Sequence, residues 1–149
     1  MADNNRFKVS LELLEDYVFK IDFDEFGYIL SDEPPPLGAG EGPNPARLVA
    51  AAVANCLCAS LLFALRKGKQ QPQAISAVAE GSLERVDGRW RIEAIEVAMA
   101  VDEQSVDSGV LEKALTQFED FCIVTQSIRQ GIPIKVAVKN HAGELIHQG

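Results

Sequence analysis

The stretch Asn44–Gly68, NPARLVAAAVANCLCASLLFALRKG, decides the fold of this chain. Asn44 is a residue type that caps helix N-termini, and Pro45 suits the first helical position because an N–H there would have no partner. Gly68 follows a basic last turn, which is typical of a helix C-terminus. Residues 48–65 carry no charge. Because a helix that is apolar on every side must be covered by other elements, the sequence predicts a buried central helix.

The uncharged run inside this helix also reaches the minimum length of a membrane span. It is built largely of alanine and contains Asn55, Ser60 and two thiols, so its transfer into lipid is only weakly favourable. The flanking segments supply amphipathic strands, which need a buried helix to cover their apolar faces. We therefore expect a core helix and no membrane partner.

Alternating apolar and polar residues on both sides of the helix predict antiparallel strands. Residues 7–30 are typical of a β-meander, and residues 31–43, with three consecutive prolines, of a loop. After the helix, Asp87-Gly88 predicts a tight turn between two long strands. The remainder predicts a helix from Val110, a short helix over 126–130 capped by Thr125, a last strand over 132–138 and a polar tail from His141.

This order of elements predicts one α+β domain with antiparallel sheets. Within residues 1–149 we expect an N-terminal meander and loop (1–43), the central helix (44–68), a hairpin, helix pair and last strand (74–139) and a tail (140–149). The central helix would be about 34 Å long at 1.5 Å per residue, which is more than one small subunit covers easily. An intertwined dimer in which two such helices pack together would solve this.

Charge and cysteine content restrict the classes of partner and compartment. The 149 residues carry a formal net charge of −8, which argues against nucleic acid and anionic membrane surfaces, since these require clustered Lys and Arg. The N-terminal residues MADNNRFKVS lack the apolar core of a signal peptide. Three cysteines, an odd number, do not suggest a secreted disulfide scaffold. We therefore expect a cytoplasmic location, where thiols stay reduced.

The cysteines are the candidate chemical groups. Cys56 and Cys58 lie about 200° apart around the helix, so they cannot both point into one site. Cys122, near the end of the second helix, would meet one of them if the helices cross. The residues alone leave other roles open, because free cysteine is among the most buried residue types and all three can be core. A metal site with His141 or His147 is disfavoured, because Cys-x-Cys within a helix splays its sulfurs.

Two segments resemble the motifs of one family. Gly42–Cys56, GPNPARLVAAAVANC, resembles the helix-opening motif of the OsmC/Ohr family, the osmotically inducible and organic-hydroperoxide-resistance proteins. Phe121–Val138, FCIVTQSIRQGIPIKVAV, resembles its second motif. The order of the elements between them also matches, so the resemblance covers essentially the whole chain. It implies an OsmC-like α+β fold, with antiparallel sheets wrapped around the long central helices of an intertwined homodimer.

The resemblance further implies a stress-response peroxidase that reduces organic hydroperoxides without a cofactor or a metal. Cys56 falls on the family's reactive cysteine and Cys122 on its resolving cysteine, whereas Cys58 has no counterpart. The resulting disulfide would be reduced by an external dithiol. The alternative is a non-catalytic OsmC-like protein that binds an apolar small molecule at the dimer interface.

Two positions depart from the family pattern. Ala46 occupies the place of the glutamate that follows the motif proline and orients an activating arginine, and Ile123 replaces the proline usual after the second cysteine. The family's arginine comes from the N-terminal strands. Since Arg6 is the only arginine before the central helix, it is the candidate cation that would lower the pKa of Cys56.

Overall fold

The computed structural model describes residues 5–149, and within them the α+β prediction is confirmed. Helices and strands follow one another in an order close to the one expected from the sequence. The elements are β1 (Ser10–Glu15), β2 (Val18–Asp22), β3 (Tyr28–Ser31), α1 (Pro45–Lys67), β4 (Ile75–Val86), β5 (Arg89–Val101), α2 (Ser108–Gln117), α3 (Ile123–Gln130), β6 (Ala137–Lys139) and β7 (Leu145–Gln148).

The central helix α1 begins and ends where its capping residues predicted. Asn44 caps it, because its side-chain Oδ1 accepts a hydrogen bond from the Arg47 N–H at 3.0 Å. At the other end the Gly68 N–H donates to the Leu65 carbonyl at 3.0 Å. Gly68 also lies against the Val110 side chain, where a Cβ atom would overlap a Val110 methyl group. A glycine is therefore required at this end of the helix.

Burial of α1 is one-sided within the single chain, whereas the sequence predicted a helix covered all round. Its buried positions recur at helical spacing: Val53, Leu57, Ser60, Leu61, Ala64 and Leu65. An exposed stripe follows the i, i+4 spacing of the opposite side: Ala51, Asn55, Ala59 and Phe63. Among residues 5–149, α1 is long and apolar enough by length and composition alone to cross a membrane, a property it shares with core helices of soluble proteins.

The chain divides into two compact units, and the first contains residues up to Asn55 together with Ser76–Ala100. The predicted meander is confirmed here as an antiparallel sheet of order β1-β2-β3. Leu11 of β1 and Ile29 of β3 both pair with Ile21 of β2, whose side chain is buried. Alternation of apolar residues therefore specified both the strands and their register.

The turn between β4 and β5 also confirms its prediction. Asp87 and Gly88 both have positive φ values, 52° and 80°, which a two-residue type I′ turn requires. Asp tolerates this left-handed conformation better than most residues, and Gly adopts it without cost. The two strands form a two-stranded sheet.

The proline-rich loop before α1 is organised around Asp32, whose side chain is only 2% exposed. Its carboxylate accepts hydrogen bonds from the backbone N–H groups of Glu33, Ala39 and Glu41, at 2.7, 3.3 and 3.0 Å. These bonds, the one from Glu41 most of all, lower the pKa of Asp32 although burial acts in the opposite sense. A Cβ atom at Gly38 would overlap this carboxylate. The loop is therefore folded around a buried anion.

The second unit, Cys56–Ile75 and Val101–Gly149, corrects three predictions. The short helix begins at Ile123, and its N-cap is Cys122, not Thr125. The last strand covers only Ala137–Lys139, and its pairing with the segment of β7 continues for one more residue, since Val136 and Gly149 exchange two backbone hydrogen bonds at 2.8 Å. The prediction of a polar tail from His141 is wrong, since Leu145–Gln148 form β7. The sequence missed β7 because Leu145 and Ile146 are adjacent and break the alternation of a half-buried strand.

Candidate redox site

The candidate site lies entirely within the second unit, where α1 contributes Cys56 and, one turn later, Ser60. A 3-10 helix, Phe118–Phe121, joins α2 to Cys122. The rings of Phe63 and Phe121 meet edge to face, with centroids 5.1 Å apart. This aromatic contact attaches the segment that carries Cys122 to the C-terminal half of α1.

Cys122 is the N-cap of α3 and its side chain is fully buried. The Thr125 N–H donates to the Cys122 Sγ at 3.4 Å, and the Cys122 thiol donates to the Thr125 Oγ1 at 3.0 Å. The Cys122 carbonyl accepts the Gln126 N–H at 3.0 Å, which completes the first turn of α3. Because serine, threonine, aspartate and asparagine are the usual caps, the sequence favoured Thr125 over the cysteine.

The environment of Cys122 stabilises its ionised form. Burial is the largest single influence and acts to raise the pKa of the thiol. Hydrogen bonds from the Thr125 side chain, the Cys56 side chain, the Thr125 backbone and the Ser60 side chain act together in the opposite direction. Their sum exceeds the effect of burial, so the pKa of Cys122 is lower than that of an ordinary thiol.

The Cys56 side chain is therefore one of the groups that act on the Cys122 thiol, although 65 residues separate the two cysteines in the sequence. Both are free thiols, and they differ in access, because Cys56 is half-buried whereas Cys122 is fully buried. Cys58 is also a free, half-buried thiol, but it is not among the groups that act on Cys122. Burial raises the pKa of Cys58.

Arg6 lies before β1 in the first unit, and its side chain is exposed. Cys56 belongs to the second unit, so the role of Arg6 as an activating cation stays a prediction. The groups that lower the pKa of Cys122 are a thiol, two hydroxyls and a backbone amide, none of them charged. The sequence analysis did not include Thr125 or Ser60 in the site. Thr125 follows Cys122 by three residues and Ser60 follows Cys56 by four, and both spacings place side chains next to each other on a helix.

The arrangement suits thiol–disulfide chemistry. A half-buried thiol is open to a small oxidant, and a buried thiol with a lowered pKa beside it can supply the thiolate that attacks an oxidised sulfur.

Comparison with known proteins gives a family and a fold. The family described as OsmC-like protein matches residues 38–137, which include all three cysteines. Among curated proteins, the peroxiredoxin OsmC of Escherichia coli strain K12 is 26% identical over 100 residues, which cover 67% of this chain and 70% of that protein.

Two solved structures have the same fold. A crystal structure of an OsmC-like protein from Mycoplasma pneumoniae superposes with a TM-score of 0.70 at 16% identity, over 87% of this chain and 91% of that one. The organic hydroperoxide resistance protein OhrB of Bacillus subtilis superposes with a TM-score of 0.63 at 20% identity, over 83% and 91%.

Proposed function

Because this chain belongs to the OsmC-like protein family, we propose that it is a thiol peroxidase that reduces organic hydroperoxides through Cys56 and Cys122. The names of two of its relatives support this class of reaction. The E. coli protein is named a peroxiredoxin, and the B. subtilis protein is named for resistance to organic hydroperoxides.

The proposal is supported most by the interaction between the side chains of Cys56 and Cys122, because Cys56 is one of the groups that lower the pKa of the Cys122 thiol. Both cysteines belong to one compact unit of one chain. The unequal access of the two sulfurs supports the order of events. Cys56, the more accessible thiol, meets the peroxide first, and Cys122 acts second.

The reaction balances in three steps. The Cys56 thiolate attacks the terminal oxygen of ROOH, the O–O bond breaks, and RO⁻ takes up a proton to leave as ROH; the sulfur becomes a sulfenic acid. Cys122 then attacks this sulfur, the S–O bond breaks, and the departing hydroxide leaves as water with the proton of the Cys122 thiol. An external dithiol finally reduces the Cys56–Cys122 disulfide and is itself oxidised to a disulfide.

The proposal includes a cytoplasmic homodimer. Two of the four residues of the exposed stripe on α1 are alanines, which would let a second helix approach closely. Many large apolar side chains are also exposed in the single chain, Phe63 at 51% among them. An interface between two copies would cover such a surface. Sedimentation that gives a monomer at micromolar concentration would contradict this part of the proposal without affecting the peroxidase.

The test is to mix the reduced protein with tert-butyl hydroperoxide and map disulfides by mass spectrometry at successive times. We expect a Cys56–Cys122 disulfide within seconds, with one molecule of alcohol formed for each disulfide. A Cys58→Ser variant is the matched control and should form the same disulfide at the same rate. Slow oxidation spread over all three thiols would contradict the proposal.

One cavity supports the alternative of a non-catalytic binding protein. A cavity of about 320 Å³ in the first unit is lined mainly by apolar residues of α1, β4 and β5, among them Ala50, Leu83 and Ile92. Its size suits a small molecule, and its lining also includes the polar side chains of Asn44 and Arg47. The mass-spectrometric test separates the two functions, because a binding protein needs no specific disulfide.

A further inference from the structure

We propose that Thr125 is a positioning residue that holds the Cys122 sulfur as a reactive thiolate during disulfide formation. The inference rests on the proposed function and adds to it a residue outside the cysteine pair. Its basis is that the two polar groups of Thr125, the side-chain hydroxyl and the backbone N–H, both contact the same sulfur, at 3.0 and 3.4 Å.

The hydroxyl of Thr125 can serve both ionisation states of Cys122. In the thiol state the S–H donates to the Thr125 Oγ1. Once the thiol has lost its proton, the hydroxyl can rotate and donate to the sulfur across the same distance, because a hydroxyl is both donor and acceptor. Thr125 is only 7% exposed, so water does not readily replace this donor.

The backbone N–H of Thr125 adds a contribution from the helix. It belongs to the first turn of α3, an eight-residue helix, and its N–H would otherwise have no partner within the helix. A negative charge at this position is favoured by the helix dipole. A thiolate at a helix N-terminus is a recognised way of making cysteine reactive.

A buried thiolate needs this support most. Cys122 is fully buried, so an uncompensated negative charge there would be strongly disfavoured. Thr125 supplies two of the hydrogen bonds that oppose this penalty, and the side chains of Cys56 and Ser60 on α1 act in the same direction. Without the hydroxyl, the second step of the reaction should slow while the first stays unchanged.

The test compares three variants of the full-length protein. Thr125→Val removes the hydroxyl at nearly constant shape, and Thr125→Ser keeps it. Thr116→Val is the matched control, because its hydroxyl also bonds to protein, the Lys113 carbonyl at 2.7 Å, but lies on the exposed side of α2. Thermal melting of each variant shows whether it is folded before its chemistry is measured.

In single-turnover experiments with tert-butyl hydroperoxide, a 1,3-diketone reagent traps the sulfenic acid and mass spectrometry follows the disulfide. We expect Thr125→Val to form sulfenic acid at the normal rate and disulfide about tenfold more slowly, with the pH profile of the second step moved to higher pH. Thr125→Ser and Thr116→Val should remain within about twofold of the parent. Equal rates in Thr125→Val and the parent, or a Thr125→Ser variant as slow as Thr125→Val, would overturn the inference.

A separate measurement does not depend on peroxidase activity. In a Cys56→Ser, Cys58→Ser background, the ultraviolet absorbance of the thiolate follows the titration of Cys122 alone. Thr125→Val should move this titration to higher pH, and an unchanged titration would overturn the inference. If the parent protein forms no disulfide with hydroperoxide, the proposed function fails, yet this titration still decides whether Thr125 stabilises the thiolate.

Discussion

Cys58 and Cys122 carry the same chemical group in two parts of one compact unit, and the more buried of the two is the stronger acid. Burial raises the pKa of both thiols. At Cys58 nothing offsets it, whereas at Cys122 the hydrogen bonds led by the Thr125 hydroxyl reverse the direction. Burial therefore does not predict how reactive a cysteine is; the donors that face its sulfur decide.

The largest expected effect comes from replacing Cys122, with the replacement of Cys58 as the comparison. Cys122→Ser should lower the turnover of hydroperoxide in the presence of an external dithiol by about 100-fold or more, because the sulfenic acid then has no partner. Cys58→Ser should stay within about twofold, since Cys58 acts on neither of the other thiols in the scheme. Peroxide consumption measured side by side checks both. A large loss in Cys58→Ser would show that the comparison assigns the wrong thiol to the reaction.

A second prediction concerns the pH dependence of the free energy of unfolding, to which Cys58 and Cys122 should contribute with opposite signs. The pKa of Cys122 is lower in the folded protein than the value of 9.0 of the unfolded chain, so between these two values the unfolded chain binds more protons. The contribution of Cys122 to the free energy of unfolding is therefore fully present above 9.0 and is lost as pH falls through the folded pKa. The raised pKa of Cys58 means that its contribution is present below 9.0 and lost as pH rises through its folded value.

Urea unfolding of reduced protein at several alkaline pH values measures this. Relative to the parent, Cys122→Ser should become progressively less stable as pH approaches 9.0 from below. The loss of stability that Cys58→Ser shows relative to the parent should instead become smaller as pH rises beyond 9.0. Parallel pH curves for the parent and both variants would mean that the two environments do not differ.

The smallest expected effect is that of removing a surface ion pair, which should leave the difference between Cys58 and Cys122 unchanged. Arg129 of α3 forms an ion pair with Glu119 at 3.0 Å, and both side chains are exposed, at 57% and 50%. Such surface pairs contribute about 0–1 kcal/mol, so Arg129→Ala should change the free energy of unfolding by about 0.5 kcal/mol. It should leave the titration of Cys122 unchanged. A clear shift in that titration would mean that a distant charge, and not Thr125, sets the acidity of Cys122.

The sequence predicted the parts of the molecule that short-range rules control. Asn44 and Gly68 marked the ends of α1, and the alternation in residues 7–30 gave the meander, because caps and strand periodicity are visible within a few residues. The resemblance to the two family motifs identified Cys56 and Cys122 as a candidate pair. The approach of their sulfurs, however, depends on packing between helices, such as the contact of Phe63 with Phe121, which no local pattern encodes.

The errors have physical causes of the same kind. Cys122 was overlooked as a cap because sulfur is a weak acceptor, and only burial and the neighbouring Thr125 make it an effective one here. The strand β7 was overlooked because its pairing with β6, not its own pattern, stabilises it. The predicted strand over 132–138 had a clear alternation, yet the strand itself covers only Ala137–Lys139, with Val136 still hydrogen-bonded to Gly149.

The buried carboxylate of Asp32 has a consequence for how the loop before α1 tolerates change. The three backbone N–H groups that donate to it all lie within nine residues of it in the sequence. The hydrogen bonds that hold the Asp32 carboxylate are therefore local to the loop. We therefore expect the loop to keep its conformation when it is exchanged as one segment into a related protein, provided that Asp32 and Gly38 are retained.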